Sequence, residues 1–231
     1  GHQGAYLLIS ADDGRVLGRG TLDLGEGASD DIEGLASRNE RLVAINSAGW
    51  LRHYKAIESG FELVRGPYSL AQHAPETLRP AIEKDWQCTK GTQFNCGPVY
   101  EGLCLSRSER DEGCVGFAAA KARGGLVCLR ETKDGALFAD PSLFIDLDAV
   151  KTLSGCSIDA EDRLWVGTNA FAANKVAEIE NWQAVADARV KKSIHVGTGF
   201  GESILAGSGG LLYRFSDTAT SPSLLSKHRC R

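Results

Sequence analysis

Residues 30–37 read DDIEGLAS and residues 98–105 read PVYEGLCL, so Glu-Gly-Leu stands twice at the head of a short apolar run. A third stretch, GESILAG at 201–207, has the same form with serine in place of the glycine. Outward from these heads the pattern continues. TLDLGEGASDDIEGLAS (21–37), LFIDLDAVKTLSGCSIDA (143–160) and SIHVGTGFGESILAG (193–207) each join an alternating apolar strand, a loop bearing glycine or serine, and a strand of small residues. The segment on the carboxyl side of each head recurs too: RLVAINSAGWLRHYKA, CVGFAAAKARGGLVCLRET, RLWVGTNAFAANKVAEIE and GLLYRFSD each read as a second strand after a tight turn. Short β-rich runs punctuated by Gly, Asn and Asp-Gly are the all-β signal, and their recurrence is the mark of a repeat architecture.

The repeats predict an all-β chain folded as a β-propeller of four blades. Three complete blades begin at Glu33, Glu101 and Cys156. The fourth takes its first two strands from the carboxyl end and its outer two from the amino-terminal hairpin AYLLISADDGRVLGRGTLDL, closed at Asp13-Gly14. The ring is thus expected to be sealed by pairing the N- and C-terminal strands. The alternative is five blades, with SIHV as a first strand and one blade half empty. Residues 1–231 are read as one domain, with an insertion at 66–99 and a polar C-terminal tail at 217–231. Within the insertion Pro75 opens a short helix, PETLRPAIEKDW.

A net charge of −4 excludes the basic footprint of a nucleic-acid binder. No apolar run approaches the ~20 residues of a membrane helix. The opening GHQGAYLLIS reads as strand and not as a leader. The seven cysteines, at 88, 96, 104, 114, 128, 156 and 230, show no zinc spacing. Cys88 and Cys96 bracket CTKGTQFNC and suit a local disulfide. Cys104 and Cys114 flank a hairpin and fall on neighbouring strands. The remaining cysteines are read as buried thiols. Cysteine density favours an oxidising, secreted or extracytoplasmic setting. The odd total leaves one thiol free or paired with another chain, and Cys230 is the candidate for an intermolecular disulfide.

In a propeller the first strand of each blade lines the central channel, so equivalent residues meet there. Glu33, Glu101, Cys156 and Glu202 occupy that position in the repeat. Three carboxylates converging in a narrow channel repel unless protons or a cation neutralise them. A hard cation with oxygen ligands is the natural guest, and Ca²⁺ is the first candidate. Glu33, Glu101 and Glu202 are the expected ligands, with Asp31 beside Glu33 as a further one and Asp30 next to it. The bland alternative is that these acids bond backbone amides and hold no metal. Cys156 is a poor calcium ligand and is read as a buried, inert thiol. His195, shortly before Glu202, and Trp50, at the start of a third strand, are the candidate ligand contacts. No nucleophile elbow or phosphate loop is present.

DDIEGLASRNERLVAIN and YEGLCLSRSERDEGCVGFAAAK resemble the Glu-Gly-Leu-Ala heads of the SdiA-regulated propellers and of phytase-like esterase propellers. That resemblance implies an extracytoplasmic propeller with calcium in or near its channel, and Glu33 and Glu101 as its ligands. SGCSIDAEDRLWVGTNA (154–170) is similar to a segment of the gluconolactonase/SMP-30 family, which implies metal-assisted attack of water on a lactone. Ser154 stands where that family carries a ligand Asn, and Gly155 where it carries Asp.

The leading expectation is an extracytoplasmic binding module holding a divalent cation and a small ligand at the channel. The second is a metal-dependent ester or lactone hydrolase. The third is a platform for another protein, with an inert channel.

Overall fold

The structure, a computed structural model, describes residues 4–28, 31–85, 97–108, 113–147, 152–169, 174–197, 199–217 and 224–229. The expected Cys88–Cys96 bridge, Asp30 and Cys230 lie outside them.

A hairpin of β1 (Ala5–Ile9) and β2 (Val16–Thr21) comes first. Its Asp13-Gly14 turn is held by the Arg15 N–H donating to Asp13 Oδ1 at 3.1 Å, with Gly14 at φ 73°. The first four-stranded antiparallel sheet takes its strands in sequence order: β3 (Ile32–Arg38), β4 (Arg41–Asn46), β5 (Trp50–Ile57) and β6 (Gly60–Ser69). The stretch read as an insertion therefore begins inside β6, and it contains the short helix α1 (Arg79–Asp85). The second sheet is β7 (Tyr100–Leu105), β8 (Gly116–Ala120), β9 (Gly125–Glu131) and β10 (Leu137–Asp146). The third is β11 (Leu153–Ile158), β12 (Leu164–Thr168), β13 (Asn174–Glu180) and β14 (Arg189–Gly197). The fourth has three strands: β15 (Phe200–Ala206), β16 (Leu211–Asp217) and β17 (Leu224–Arg229). The inner strands pack in turn, β3 on β7, β7 on β11 and β11 on β15. The chain is a four-bladed β-propeller. SIHV lies in β14, the outermost strand of the third blade, and begins no blade of its own.

The two faces of each inner strand meet different neighbours, and in β7 and β11 both faces are buried. Leu103 and Leu105 pack with Val43, Ile45 and Leu51 of the first blade. Cys104, Phe117 and Leu126 pack with Cys156, Ile158 and Leu164 of the third. Trp165 and Val176 pack with Ile204, Ala206 and Leu212 of the fourth. The repeated Glu-Gly answers to this stacking. A Cβ on Gly34 would lie 2.5 Å from the Leu103 backbone nitrogen, and one on Gly102 would lie 2.6 Å from Gly155 Cα. Neighbouring backbones touch there, and only glycine leaves the room. Ser203 occupies the same place in the fourth blade, on a face with no further blade pressed against it. That is why GESILAG does without the glycine.

Two expectations are corrected. The amino-terminal hairpin does not complete the fourth blade. The third strand of that blade is β17, from the tail, with Leu225 opposite Phe215. β1 and β2 form a ribbon of their own. The ribbon and the segment after it cover the free face of the first blade, where Tyr6, Leu22 and Leu24 pack with Ala44, Tyr54 and Phe61. Its tip crosses to the fourth blade: the Tyr213 hydroxyl and Lys227 Nζ donate to the Ala11 carbonyl at 3.1 and 3.2 Å. Tyr6 and the segment after the hairpin thus anchor it to the first blade, while Leu7, Leu8, Val16 and Leu17 stay exposed.

The second correction concerns cysteine. Cys156 is no inert thiol: it is bonded to Cys104, across the interface of the second and third blades. Cys128, read as a buried thiol, is bonded to Cys114. The two bridges, and the absence of any helix long and apolar enough to cross a membrane among the described residues, are compatible with a secreted protein.

Candidate functional site

Each inner strand carries a β-bulge near its start. The register skips Glu33 between Ile32 and Gly34, Glu101 between Tyr100 and Gly102, Ser154 between Leu153 and Gly155, and Glu202 between Gly201 and Ser203. A bulged residue is released from the ladder and its side chain is re-aimed. The fourfold set around the axis is therefore Glu33, Glu101, Ser154 and Glu202. Cys156 stands two places on, where Leu35 and Leu103 stand in the first two blades, and faces the preceding blade. That is how it reaches Cys104. The signal in the sequence was the residue before the glycine: Glu33-Gly34, Glu101-Gly102 and Ser154-Gly155 align without a gap.

The axial cavity has a volume of about 340 Å³. Ile32, Leu35, Leu103, Ile204, Leu205 and Phe215 make its walls apolar, and Glu33 and Glu101 supply its charge. Glu33 is half-buried and hydrogen-bonded to Asp31. Burial first, then the charges of Asp31, Glu101 and Glu202, push its carboxyl up to about 8. Asp31 is fixed in turn by the Ser47 hydroxyl, which donates to Oδ2 at 2.8 Å. Glu101, 7% exposed, takes a charge-assisted bond from Lys121 Nζ at 3.0 Å. Glu202 is exposed, accepts from Asn169 Nδ2 at 3.4 Å, and lies close enough to Arg214 to act on its charge. Lys121, Asn169 and Arg214 were not legible as partners, because they arrive from unrelated places, just after β8, just after β12 and within β16.

The acids expected as metal ligands thus do gather around one axis, but each has a partner of its own. Among the described residues no three His, Cys, Asp or Glu side chains stand in a metal-holding arrangement. The residues as placed do not supply a ready calcium cage. The two candidate ligand contacts are not brought to the cavity. His195 is exposed on β14, the outermost strand of its blade. Trp50 begins β5, the third strand out from the axis, with its backbone N–H donating to Asn46 Oδ1 at 2.7 Å.

Glu33 sets a pH dependence whose sign is fixed. Its folded value of about 8 lies above its ordinary 4.5. The folded state therefore holds a proton that the unfolded chain has lost between those values, and stability falls as pH rises from about 4.5 to about 8. Denaturant midpoints measured across that window are expected to decline in the wild type. Glu33→Gln should flatten the decline. An unchanged slope in the variant would assign the titration to another group.

No family model matches the chain, and no curated protein matches it. Solved structures do. The glutaminyl cyclase of Myxococcus xanthus superposes with a TM-score of 0.54 at 16% identity, over 98% of this chain and 83% of that one. A luciferin-regenerating enzyme superposes at 0.50 and 11% identity, over 96% and 69%. The virginiamycin B lyase of Staphylococcus aureus gives 0.42 at 14% identity, over 99% of this chain. The chain spans 64% of the length of that lyase. At these identities the likeness is one of fold.

Proposed function

We propose that this propeller is a binding module whose axial cavity takes a small organic cation with an apolar body. The observation that carries the reading is the Glu33 carboxyl, half-buried among apolar walls and kept protonated by that burial and by three neighbouring carboxyl groups. An ammonium group brought beside it relieves the repulsion and lets Glu33 ionise, while Leu35, Leu103 and Phe215 take the apolar part. Cation and proton compete for the same carboxyl, so affinity rises with pH up to about 8 and then levels.

The test is the thermal midpoint with benzylamine at pH 6 and pH 9, in wild type and Glu33→Gln. Calcium with and without excess chelator forms a parallel arm. A ligand at ~100 times its dissociation constant adds about 2.7 kcal/mol. The amine is expected to raise the midpoint, more at pH 9, and only with Glu33 present. A shift equal in both proteins, or none at either pH, would overturn the reading. A chelator-sensitive calcium shift dependent on Glu33 would give the site to a divalent cation instead.

The raised Glu33 value also favours a second reading, since a carboxyl poised near neutrality suits general acid–base work. Under it the chain is an ester or lactone hydrolase. Release of nitrophenol from nitrophenyl acetate, lost in Glu33→Gln, is the observation it requires.

A further inference from the structure

A second cavity lies at the other end of β3. Glu33 stands near the start of that strand and Arg38 at its end, beside an opening between the first and second blades of about 250 Å³. The turns that bound it come from β3–β4 and β9–β10 and carry Arg38, Arg41, Lys133 and Asp134. Arg65 of β6 stands behind this lining, opposite His53 in the ladder and paired with Asp134. Three cations, Arg38, Arg41 and Lys133, therefore line the cavity against two carboxylates, Glu131 and Asp134, and Arg65 adds a further positive charge behind them.

The two carboxylates are already engaged. Arg38 holds Glu131 Oε2 through Nε at 3.1 Å and Nη2 at 2.9 Å. Arg65 Nη2 sits 3.1 Å from Asp134 Oδ2. Arg41 and Lys133 have no ion-pair or hydrogen-bond partner among the described residues, and Arg65 Nη1 is buried with no acceptor.

The cavity floor adds a further donor. Tyr68 keeps its proton, because burial pushes its hydroxyl up to about 12. Its oxygen accepts from the Leu137 N–H at 3.0 Å, so its own proton goes to His53 Nε2, 2.7 Å away. That assigns the imidazole proton to Nδ1. His53 lines the cavity at 2% exposure, and burial, Arg65, Arg41 and His73 hold it down to about 4. It is a neutral donor in a cationic setting.

We propose that this rim cavity binds a small dianionic molecule through a phosphoryl or dicarboxylate group, with Arg41 and Lys133 as the charged contacts and the His53 Nδ1–H as the neutral one. The volume falls just under the ~300–1,000 Å³ of drug-sized sites, so the ligand is compact. Guanidinium groups matched to paired oxygens give such anions their specificity. The site is separate from the axial cavity and does not depend on Glu33.

The experiment is calorimetric titration of the whole chain with inorganic phosphate and with succinate, at constant ionic strength in chloride. It is run on wild type and on Arg41→Gln/Lys133→Gln, whose substituted side chains are exposed and leave the core untouched. His53 is followed by NMR in parallel. Saturable binding is expected, weakened about tenfold or more in the double variant, with the His53 titration moving upward when the anion is bound. The tighter of the two probes identifies the group recognised. No saturable binding of either anion, or equal binding by wild type and variant, would overturn the proposal.

Discussion

Replacing Cys104 and Cys156 together with alanine is expected to lower the unfolding free energy by about 4 kcal/mol. The bridge closes a loop of 52 residues, so its loss frees a long stretch of denatured chain. Both side chains are buried, at 1% and 5% exposure, so the missing sulfurs also leave a void between blades. For a chain of this length the thermal midpoint should fall by roughly 10 °C. Cys114→Ala/Cys128→Ala is the internal scale: its bridge spans 14 residues and should contribute about 3 kcal/mol on the same loop argument. Midpoints in denaturant, with and without reductant, check both. If reductant lowers the wild-type midpoint below that of the oxidised 104/156 variant, by the share assigned to Cys114–Cys128, the loop account holds. If wild type and variant melt alike in oxidising buffer, the bridge contributes nothing.

The second large effect belongs to Gly102. Valine there is expected to destabilise the fold by about 3 kcal/mol. Its Cβ would stand 2.6 Å from Gly155 Cα and 3.0 Å from the Cys156 nitrogen, both main-chain atoms that cannot swing aside. Nor can the blades part, because the Cys104–Cys156 bridge ties the same two strands two residues on. Ser203→Val is the matched control. It places the same side chain at the equivalent point of the fourth blade, where the next inner strand does not press, and should cost well under half as much. Equal losses at the two positions would mean that the glycines are not there for blade-to-blade contact.

Much of this architecture was legible because stacking writes itself into the chain every blade. Glu-Gly recurs where one backbone rests on the next, and the Asp-Gly turns mark the hairpins at 13–14 and 134–135. What escaped was an offset of two residues. A strand repeats its facing every two residues, so Cys156 falls in phase with Ser154 and takes the place of Glu33 in the apolar pattern, although Ser154 is the true counterpart. The disulfide came with that offset and was invisible without it. The closure of the ring was misread for another reason. Pairing one end of the chain with the other satisfies the strand count, but the count carries no information about where Tyr6, Leu22 and Leu24 find their apolar contacts. At the axis, the acids were readable from the repeat, whereas their partners Lys121, Asn169 and Arg214 come from places in the blades with no shared pattern.

The ribbon at the amino terminus gives the ring one join unlike the other three. Between the first and second, second and third, and third and fourth blades, apolar clusters and in one case a covalent bond hold neighbours together. Between the fourth and the first, the described bonds that cross are those of Tyr213 and Lys227 to one exposed carbonyl of Ala11. Leu35 and Leu205, 51% and 54% exposed, flank that join and also wall the axial cavity. Parting the join would therefore open the cavity sideways, like a split ring sprung at its gap, with every sheet intact. Local opening takes the least-buried route available, and here that route leads straight to Glu33.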